Sequence, residues 1–414
     1  MRRAAIAIAL LLAACSTRAS RSPAPVPPAD PRGDRPVRVA LVAPDPRIGG
    51  TREFEWFAAD GRTLVSRGRR GELWKLEREP RGARVRAIRP DGVPTSFQRS
   101  LLVRVNPGGH LTVNGRRYRG EIAVLPFNDT LVVVNRLGLE DYLRGVVPVE
   151  MGSRPRSDSA ALQAQAVASR SFAILRLGSD RPYDLRATVA DQAYGGFDVE
   201  NAGSGAAVDA TRGLVLRYGG RIVDAPYSAN CGGSTAEPPE VWRAEGAAYL
   251  KRVSDRIGRA DRYYCDIGPR FRWTRDFTAQ ELQAALDRYL QSYSSVPRNG
   301  PGRARAIAVR SRTPSGRTGT VDVESERGTF PLRGNDVRYV LRSPSGEILP
   351  STYFSVESRQ GRDGLLESLT VRGQGNGHGV GMCQWGAIGR SRAGHTFREI
   401  LGTYYPGTSI GPVQ

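Results

Sequence analysis

The feature of this sequence that most limits its fold is a series of short apolar runs between Val37 and Val134. Runs such as VRVALVA, LLVRVN and TLVVVN alternate with turn segments such as NPGG and VNGR. Short runs bounded by turn residues are typical of strands, and tight turns join antiparallel neighbours. The sequence therefore predicts a β-rich N-terminal module over residues 37–119, packed against the C-terminal part of the chain.

A different pattern begins near Leu137. The segment GLEDYLRGV predicts a short amphipathic helix that ends at Pro148. The segment SDSAALQAQAVASRSFAILRLG predicts the strongest helix of the chain, with Ser157 or Ser159 as its N-cap and Gly178 after its end. The region after residue 137 is therefore expected to contain helices as well as strands.

Two later helices are indicated by capping boxes, Thr278 with Glu281 and Thr396 with Glu399. The segment AIAVRSRTPSGRTGTVDVES predicts a hairpin across PSGR. The chain also contains 48 glycines and 28 prolines, which indicate many turns and loops. Together these patterns predict an α+β fold.

The N-terminus has the pattern of an export signal, residues 1–15. Arg2 and Arg3 precede the apolar segment AAIAIALLLAA, which is too short to remain as a membrane-spanning helix. The ending LAAC resembles the lipobox of bacterial lipoproteins, and a plain secretory signal is the alternative. We expect Cys15 to be lipidated and residues 16–36 to form a Pro-rich, disordered tether. This predicts a lipid-anchored, extracytoplasmic protein of the bacterial cell envelope.

The net charge of +20 raises the possibility of a nucleic-acid partner. The basic residues are nearly all arginines spread over the whole chain, with Lys75 and Lys251 the only lysines. No zinc-finger spacing, ribonucleoprotein motif or dense basic helix accompanies them, and export separates the chain from most nucleic acid. We therefore predict no nucleic-acid binding and a modest attraction to anionic envelope polymers.

Glu150, in the segment GVVPVEMGSR, is the carboxylate with the most unusual surroundings in the sequence. Val146, Val147, Val149 and Met151 offer it an apolar environment. Burial among them would raise the pKa of Glu150 and keep it protonated near neutral pH, as a general acid requires. An exposed or salt-bridged glutamate near a turn is the alternative interpretation.

A second set of candidates lies in the glycine-rich segment GNGHGVGMCQWG. His378 there could act as a base, a hydrogen-bond donor or a metal ligand, or could form a nucleophilic pair with Cys383. The alternative is a tight structural loop. The segments DQAYGG and YSANCGGST carry amide and hydroxyl groups that suit a sugar-binding cleft and suit ordinary turns equally. His110 and His395 are interpreted as surface or packing residues.

Apart from Cys15, the cysteines are Cys231, Cys265 and Cys383. Disulfides persist outside the cytoplasm, so Cys231 and Cys265 form a candidate pair and Cys383 is the odd residue. The sequence contains no CxxC or HExxH motif, and it therefore carries no strong metal signature.

Six segments, in order, resemble the SpoIID/LytB family of stage II sporulation protein D and amidase enhancers, and they cover about residues 120–410. They are LEDYLRGVVPVEM, ALQAQAVASRSFA, DQAYGG, AVDATRGLVLRYGGRIVDAPYSANCGGST, HGVGMCQWGA and EILGTYYPGT. The resemblance implies that residues 120–410 form a mixed α+β catalytic domain on which the N-terminal module packs.

The resemblance also implies an activity. Sporulation members of the family are peptidoglycan lytic transglycosylases that favour glycan strands without stem peptides, and their catalytic glutamate corresponds to Glu150. The other branch implies a non-catalytic enhancer of an N-acetylmuramoyl-L-alanine amidase. The implied partners are therefore peptidoglycan and, in the second case, a cell-wall amidase. The candidates for positioning the sugars are Gln163, Arg170, Gln192, Tyr194, His378 and Gln384.

The sequence departs from the family at a zinc site. Some relatives carry histidines around the CGG turn and bind zinc there, whereas this chain has Ser228 and Ser234. We therefore predict no cofactor and favour a Cys231–Cys265 disulfide. A zinc set made of the three cysteines and His378 is the less favoured alternative.

Overall fold

The computed structural model describes residues 35–80 and 82–413, so Cys15 and most of the predicted tether lie outside the described residues. The strands, in chain order, are β1 Pro36–Leu41, β2 Arg47–Gly50, β3 Phe54–Phe57, β4 Leu64–Gly68, β5 Leu73–Arg78, β6 Val85–Ile88, β7 Leu101–Val105, β8 Leu111–Val113, β9 Arg116–Tyr118, β10 Glu121–Phe127, β11 Thr130–Gly138, β12 Leu185–Arg186, β13 Leu214–Tyr218, β14 Arg221–Ile222, β15 Tyr227–Ser228, β16 Arg272–Thr278, β17 Ala304–Arg312, β18 Thr318–Ser325, β19 Gly328–Arg333, β20 Phe354–Gln360, β21 Leu366–Gln374, β22 Met382–Cys383 and β23 Ser409–Pro412. The helices are α1 Leu139–Met151, α2 Ser159–Ile174, α3 Ala202–Ala210, α4 Pro238–Val241, α5 Ala279–Tyr289, α6 Asp336–Val340, α7 Gln384–Arg392 and α8 Phe397–Tyr404. Among these residues no helix is long and apolar enough to span a bilayer.

The N-terminal segment forms two sheets, and the predicted α+β fold class is confirmed. One sheet has the order β12-β1-β11-β10-β7-β3-β4 and the other β6-β5-β2-β8-β9. Trp56 and Trp74, both fully buried, pack with ring centroids 5.4 Å apart in the core. β10 and β11 follow residue 119, yet β10 pairs with β7 and β11 with β1. The sheet therefore continues across the predicted boundary, through residue 138.

Helix α1 begins directly after β11 and does not end at Pro148, in contrast to the sequence-based prediction. Pro148 lies inside the helix, which continues to Met151 and ends at Gly152 with a φ of 72°. A proline removes one backbone donor, and here it does so only in the last turn. The Pro148 carbonyl still accepts a hydrogen bond from the Gly152 N–H at 2.9 Å. Glu150 therefore lies on the final turn of a helix.

Helix α2 is the central helix, in contact with α1, α3, α7 and α8. Its alanines at positions 161, 164, 166 and 168 are fully buried, which allows neighbouring helices to approach closely. The predicted serine N-cap is wrong, because Asp158 occupies that position and its carboxylate pairs with Arg392 at 2.8 Å. The helix ends at Ile174, before Gly178.

A separate hydrophobic core lies in residues 272–374, which we call the inserted unit. It contains β16–β21, α5 and α6, and the hairpin across PSGR and the Thr278–Glu281 capping box are both confirmed. The chain enters it after β15 and returns in β22, and these two strands pair in parallel, Tyr227 with Met382. The inserted unit therefore interrupts one continuous core.

Candidate active site

Glu150 lines a cleft, and groups from other parts of the chain contact its carboxylate. Its Oε1 accepts a hydrogen bond from the Ala193 N–H at 2.9 Å, and its Oε2 faces Nε2 of Gln384 at 3.4 Å. Ala193 belongs to the DQAYGG segment, and Gln384 is the first residue of α7. Three distant parts of the sequence thus converge on one carboxylate.

Burial raises the pKa of Glu150 above the ordinary glutamate value. Hydrogen bonds from Ala193, Gln384 and the Tyr227 hydroxyl oppose this effect without cancelling it. The valines that the sequence offered as surroundings are not those that line the cleft. Val146 and Val147 are fully buried in the core, and Val149 is 40% exposed. The residues that line the cleft around Glu150 come from other parts of the chain.

A buried network of polar side chains extends behind Glu150. Gln384 donates to Gln165 Oε1 at 3.3 Å, and Gln165 donates to Ser169 Oγ at 2.9 Å. Gln192 donates to the Tyr227 hydroxyl at 2.9 Å. Because each member is held by another, the network fixes the orientation of the groups around the carboxylate.

The cleft measures about 900 Å³ and lies between the core and the inserted unit. Glu150, Tyr227, His378 and Gln384 line the core side, and Asn335, Arg338 and Tyr339 line the opposite side. An adjoining cleft of about 970 Å³ shares Trp242, Asn335 and Tyr339 and lacks Glu150. The two clefts therefore lie side by side, with these shared residues between them.

His378 is held in one neutral form. Its Nδ1 accepts from the Val380 N–H at 3.1 Å, and its Nε2 donates to the Tyr227 carbonyl at 2.8 Å. Burial, with the charges of Arg338 and Arg317, lowers the pKa of His378 to about 4. Both ring nitrogens are therefore engaged by backbone groups rather than by Cys383. Its ring lies 4.8 Å from the Trp242 ring and adds to the cleft wall.

The glycines around His378 have a steric role. Gly377, Gly379 and Gly381 have φ values of 101°, 79° and 71°, a region that disfavours other residues. A Cβ atom on Gly379 would lie 2.1 Å from Arg317 Nη2. The glycine-rich loop is therefore required for close packing, as well as for presenting His378.

Several predicted sugar-positioning residues lie elsewhere. Arg170 is fully buried and forms a bidentate ion pair with Glu140 at 2.6 and 2.8 Å. Tyr194 is 6% exposed and donates to Asn135 at 2.8 Å within the core. Neither lines the cleft, so we correct both to structural residues. The polar groups of both side chains form hydrogen bonds with partners in the interior. Sequence alone does not distinguish such a residue from one that binds a ligand.

The three glutamines predicted to position the sugars differ in whether they line the cleft. Gln384 lines the cleft beside Glu150. Gln192 is 1% exposed and supports Tyr227 from behind. Gln163 is not among the residues of the cleft, whereas Gln165 joins the network. Residues two apart project from nearly opposite sides of a helix, which accounts for the difference.

The three described cysteines are free and buried. Cys231 Sγ lies 3.7 Å from Cys265 Sγ, so the predicted disulfide is not formed in this structure. Cys383 and Asp255 complete the group, with all four ligand atoms within 4.8 Å of one another. The alternative zinc set therefore needs correction, because Asp255 takes the place assigned to His378 from the sequence.

Comparison with known proteins shows which family this chain resembles. A family model described as stage II sporulation protein matches residues 127–218, the segment that contains α1, α2 and Glu150. The amidase enhancer of Bacillus subtilis (strain 168) is 28% identical over 396 residues, which cover 86% of this chain and 51% of that protein. An uncharacterized protein of Brachyspira hyodysenteriae (strain ATCC 49526 / WA1) is 33% identical over 302 residues, 72% of this chain and 73% of that protein. The chain belongs to the SpoIID/LytB family.

Two further matches refine this placement. The stage II sporulation protein D of Bacillus subtilis (strain 168) is 26% identical over 294 residues, 67% of this chain and 75% of that protein. A model described as a domain of unknown function (DUF8618) matches residues 264–381, which include the inserted unit. The chain spans about half the length of the amidase enhancer. This SpoIID/LytB-family protein therefore combines the family core with a second recognisable segment.

Sequence reasoning missed several residues of the site. Tyr227 and Gln165 lie within segments quoted for the family resemblance, but only tertiary contacts distinguish them there. Trp242 and Arg338 lie outside all six motifs. An isolated Trp in a loop was a usable signal for a ligand-contacting aromatic, whereas nothing local distinguishes Arg338 from the other arginines.

Proposed function

We propose that this SpoIID/LytB-family protein acts in the cell envelope as a peptidoglycan lytic transglycosylase. Its substrate would be glycan strands of MurNAc and GlcNAc without stem peptides, and its product would be 1,6-anhydro-MurNAc ends. The observation that carries the proposal is Glu150, a half-buried carboxylic acid with a raised pKa that lines a cleft of about 900 Å³. Lipid anchoring through Cys15 is part of the proposal for its location.

The first chemical step uses Glu150 as a general acid. Protonated Glu150 donates its proton to the glycosidic oxygen between MurNAc C1 and GlcNAc O4, and the C1–O4 bond breaks. The GlcNAc hydroxyl leaves with that proton, and positive charge develops at MurNAc C1. Gln384 and the Ala193 N–H hold the carboxylate that remains.

The second step closes the anhydro ring. The MurNAc C6 hydroxyl attacks C1, the C1–O6 bond forms, and Glu150 takes the hydroxyl proton and is restored. No attacking water is needed, so the second carboxylate of ordinary glycosidases is not required. The two aspartates of the cleft support this view, because both are already paired, Asp191 with Arg186 at 2.9 Å and Asp224 with Arg176 at 3.1 Å.

Substrate selection is assigned to Arg338, which faces Glu150 across the cleft. Arg338 is 7% exposed, and within the described residues it forms no salt bridge. Its Nε donates to the Leu349 carbonyl at 2.7 Å and its Nη1 to Asn335 at 3.0 Å, which fix the guanidinium. A strand without stem peptides carries a free lactyl carboxylate on each MurNAc. A fixed cation in the cleft suits that group.

Arg338→Gln is expected to weaken the use of strands without stem peptides by about 10- to 100-fold in kcat/KM, because a charged hydrogen bond contributes about 1.5–3 kcal/mol. Binding of neutral chitooligosaccharides, which lack the lactyl carboxylate, should change little. Steady-state cleavage and calorimetric binding measure the two effects. An equal loss on both ligands would contradict the assignment of Arg338 to the carboxylate.

The pH dependence reflects the raised pKa of Glu150. The protonated form is the active acid, so kcat/KM is expected to decrease as pH rises through that pKa. His378, with a pKa of about 4, stays neutral in the same range and adds no second transition. A kcat/KM profile measured from acidic to mildly alkaline pH checks this. Activity that increased with pH through neutrality would contradict an acid role.

The competing function is activation of a cell-wall amidase. The observation that favours it is the match to an amidase enhancer over 86% of this chain. The purified chain is incubated with strands without stem peptides, and products are analysed by mass spectrometry. Anhydro-MurNAc ends support the transglycosylase. Binding without cleavage, together with faster amide hydrolysis by an added N-acetylmuramoyl-L-alanine amidase, would support the enhancer instead.

A further inference from the structure

A buried cluster of four metal-ligand side chains includes the residue that precedes Gln384 of the cleft. It consists of Cys231, Asp255, Cys265 and Cys383, which we call the cysteine cluster. Cys231 comes from the loop after β15, Asp255 and Cys265 from the loop between α4 and β16, and Cys383 from the end of β22. All four residues are buried, and their ligand atoms lie within 4.8 Å of one another.

The spacing of the sulfur atoms fits a tetrahedral metal site. Zinc–sulfur bonds of about 2.3 Å place two sulfur ligands of a tetrahedron about 3.8 Å apart. Cys231 Sγ and Cys265 Sγ are 3.7 Å apart. A disulfide would require about 2.05 Å. The observed distance therefore fits two ligands around one ion and is too long for a covalent pair.

Surrounding groups hold two of the ligands in orientations that suit a metal. Cys383 Sγ accepts hydrogen bonds from the Cys231 N–H at 3.1 Å and the Gly386 N–H at 3.3 Å, as thiolate ligands do. Asp255 Oδ1 accepts from the Tyr404 hydroxyl at 2.6 Å and from Arg390 at 3.1 Å. Its other oxygen, Oδ2, remains directed into the cluster, 3.2 Å from Cys231 Sγ. Such supporting hydrogen bonds are typical of metal sites.

Two buried cations balance the charge of an occupied cluster. Arg390 pairs with Asp255, and Arg317 is 1% exposed and donates to the Cys231 carbonyl at 2.8 Å. Arg317 forms no salt bridge with any residue that the structure describes. Three thiolates and one carboxylate carry four negative charges, which a divalent ion and two guanidinium groups neutralise. A buried arginine without a carboxylate partner is costly unless another anion lies nearby.

We propose that the cysteine cluster is a structural Zn²⁺ site with Cys231, Cys265, Cys383 and Asp255 as its ligands. Thiolate-rich, closed tetrahedral sites are those that zinc occupies in structural roles. The ion would replace the three thiol protons and join two loops to the end of strand β22. Cys383 directly precedes Gln384, so the site fixes the residue that contacts Glu150. This proposal is independent of whether the cleft is catalytic.

The test is the metal content of the purified full chain carrying Cys15→Ser, which leaves only these three cysteines. Plasma mass spectrometry is expected to find about one zinc per chain. Replacement by Co²⁺ should give the visible and near-ultraviolet absorption bands of thiolate-bound cobalt. Removal of the zinc with a chelator should lower the melting temperature.

Variants locate the ion. Cys383→Ser and Asp255→Asn are each expected to lose most of the bound zinc, whereas Ser234→Ala, a change in the same loop as Cys231, should retain it. If Cys383→Ser does not fold, Asp255→Asn still gives the answer because it preserves side-chain volume. Alkylation without reduction provides a second measurement on the unaltered cluster. Three alkylated cysteines without metal, or one alkylated cysteine with a Cys231–Cys265 disulfide, would overturn the proposal.

Discussion

Glu150→Gln is expected to remove the formation of 1,6-anhydro-MurNAc ends, with kcat decreasing by about 10²- to 10⁴-fold, the contribution usual for a general acid. The amide keeps the size of the side chain and its contact with Ala193. It cannot donate a proton to the glycosidic oxygen or accept one from the C6 hydroxyl. Mass spectrometry of digested strands without stem peptides measures the effect.

The matched control is Glu245→Gln, which alters an exposed carboxylate of the same cleft. This variant should cleave at nearly the native rate, because Glu245 is too exposed to act as a desolvated acid. Cleavage that survived Glu150→Gln and was lost in Glu245→Gln would exclude the proposed mechanism.

Stability separates a chemical effect from unfolding. Because the pKa of Glu150 is raised, the folded chain holds this proton more tightly than the unfolded chain does. The stability that depends on this group is therefore greatest below the ordinary glutamate pKa and is lost as pH rises through the raised value. Glu150→Gln removes that loss, so its free energy of unfolding at neutral pH should equal or exceed that of the native chain. Urea unfolding checks this.

Arg170→Met is expected to lower the free energy of unfolding by about 3–5 kcal/mol, the usual effect of removing one partner of a buried ion pair. Arg170 and Glu140 are both buried, and the pair joins α2 to the start of α1. Removing the guanidinium leaves the Glu140 carboxylate in the interior without its main counterion. Urea unfolding followed by circular dichroism measures the loss.

The double variant Glu140→Leu with Arg170→Met is the control for this prediction. Replacing both partners by apolar groups of similar size should recover much of the stability, because neither charge is then buried alone. A variant Arg170→Met that kept its stability and lost only glycan binding would support the sugar-positioning role that the family resemblance implied.

Local patterns predicted those elements that depend on neighbouring residues. Alternating runs and turn residues indicated the N-terminal strands, and the capping boxes at Thr278 and Thr396 begin helices α5 and α8. Pro148 was misleading because the cost of a proline depends on where the helix ends, which packing decides. The prediction that Arg170 positions the sugars was wrong, because an arginine in a buried ion pair and an arginine that binds a ligand look the same in the local sequence.

The sequence by itself determined the α+β class, the family and the identity of Glu150 as the candidate acid, because these depend on ordered motifs and short-range propensities. Only the tertiary structure decided which groups surround that acid. The Ala193 N–H, Gln384 and Arg338 reach the cleft from separate segments, and Asp255 completes a cysteine cluster whose ligands are spread from residue 231 to residue 383. Burial and the direction of a side chain arise from contacts between distant residues, and no local pattern encodes them.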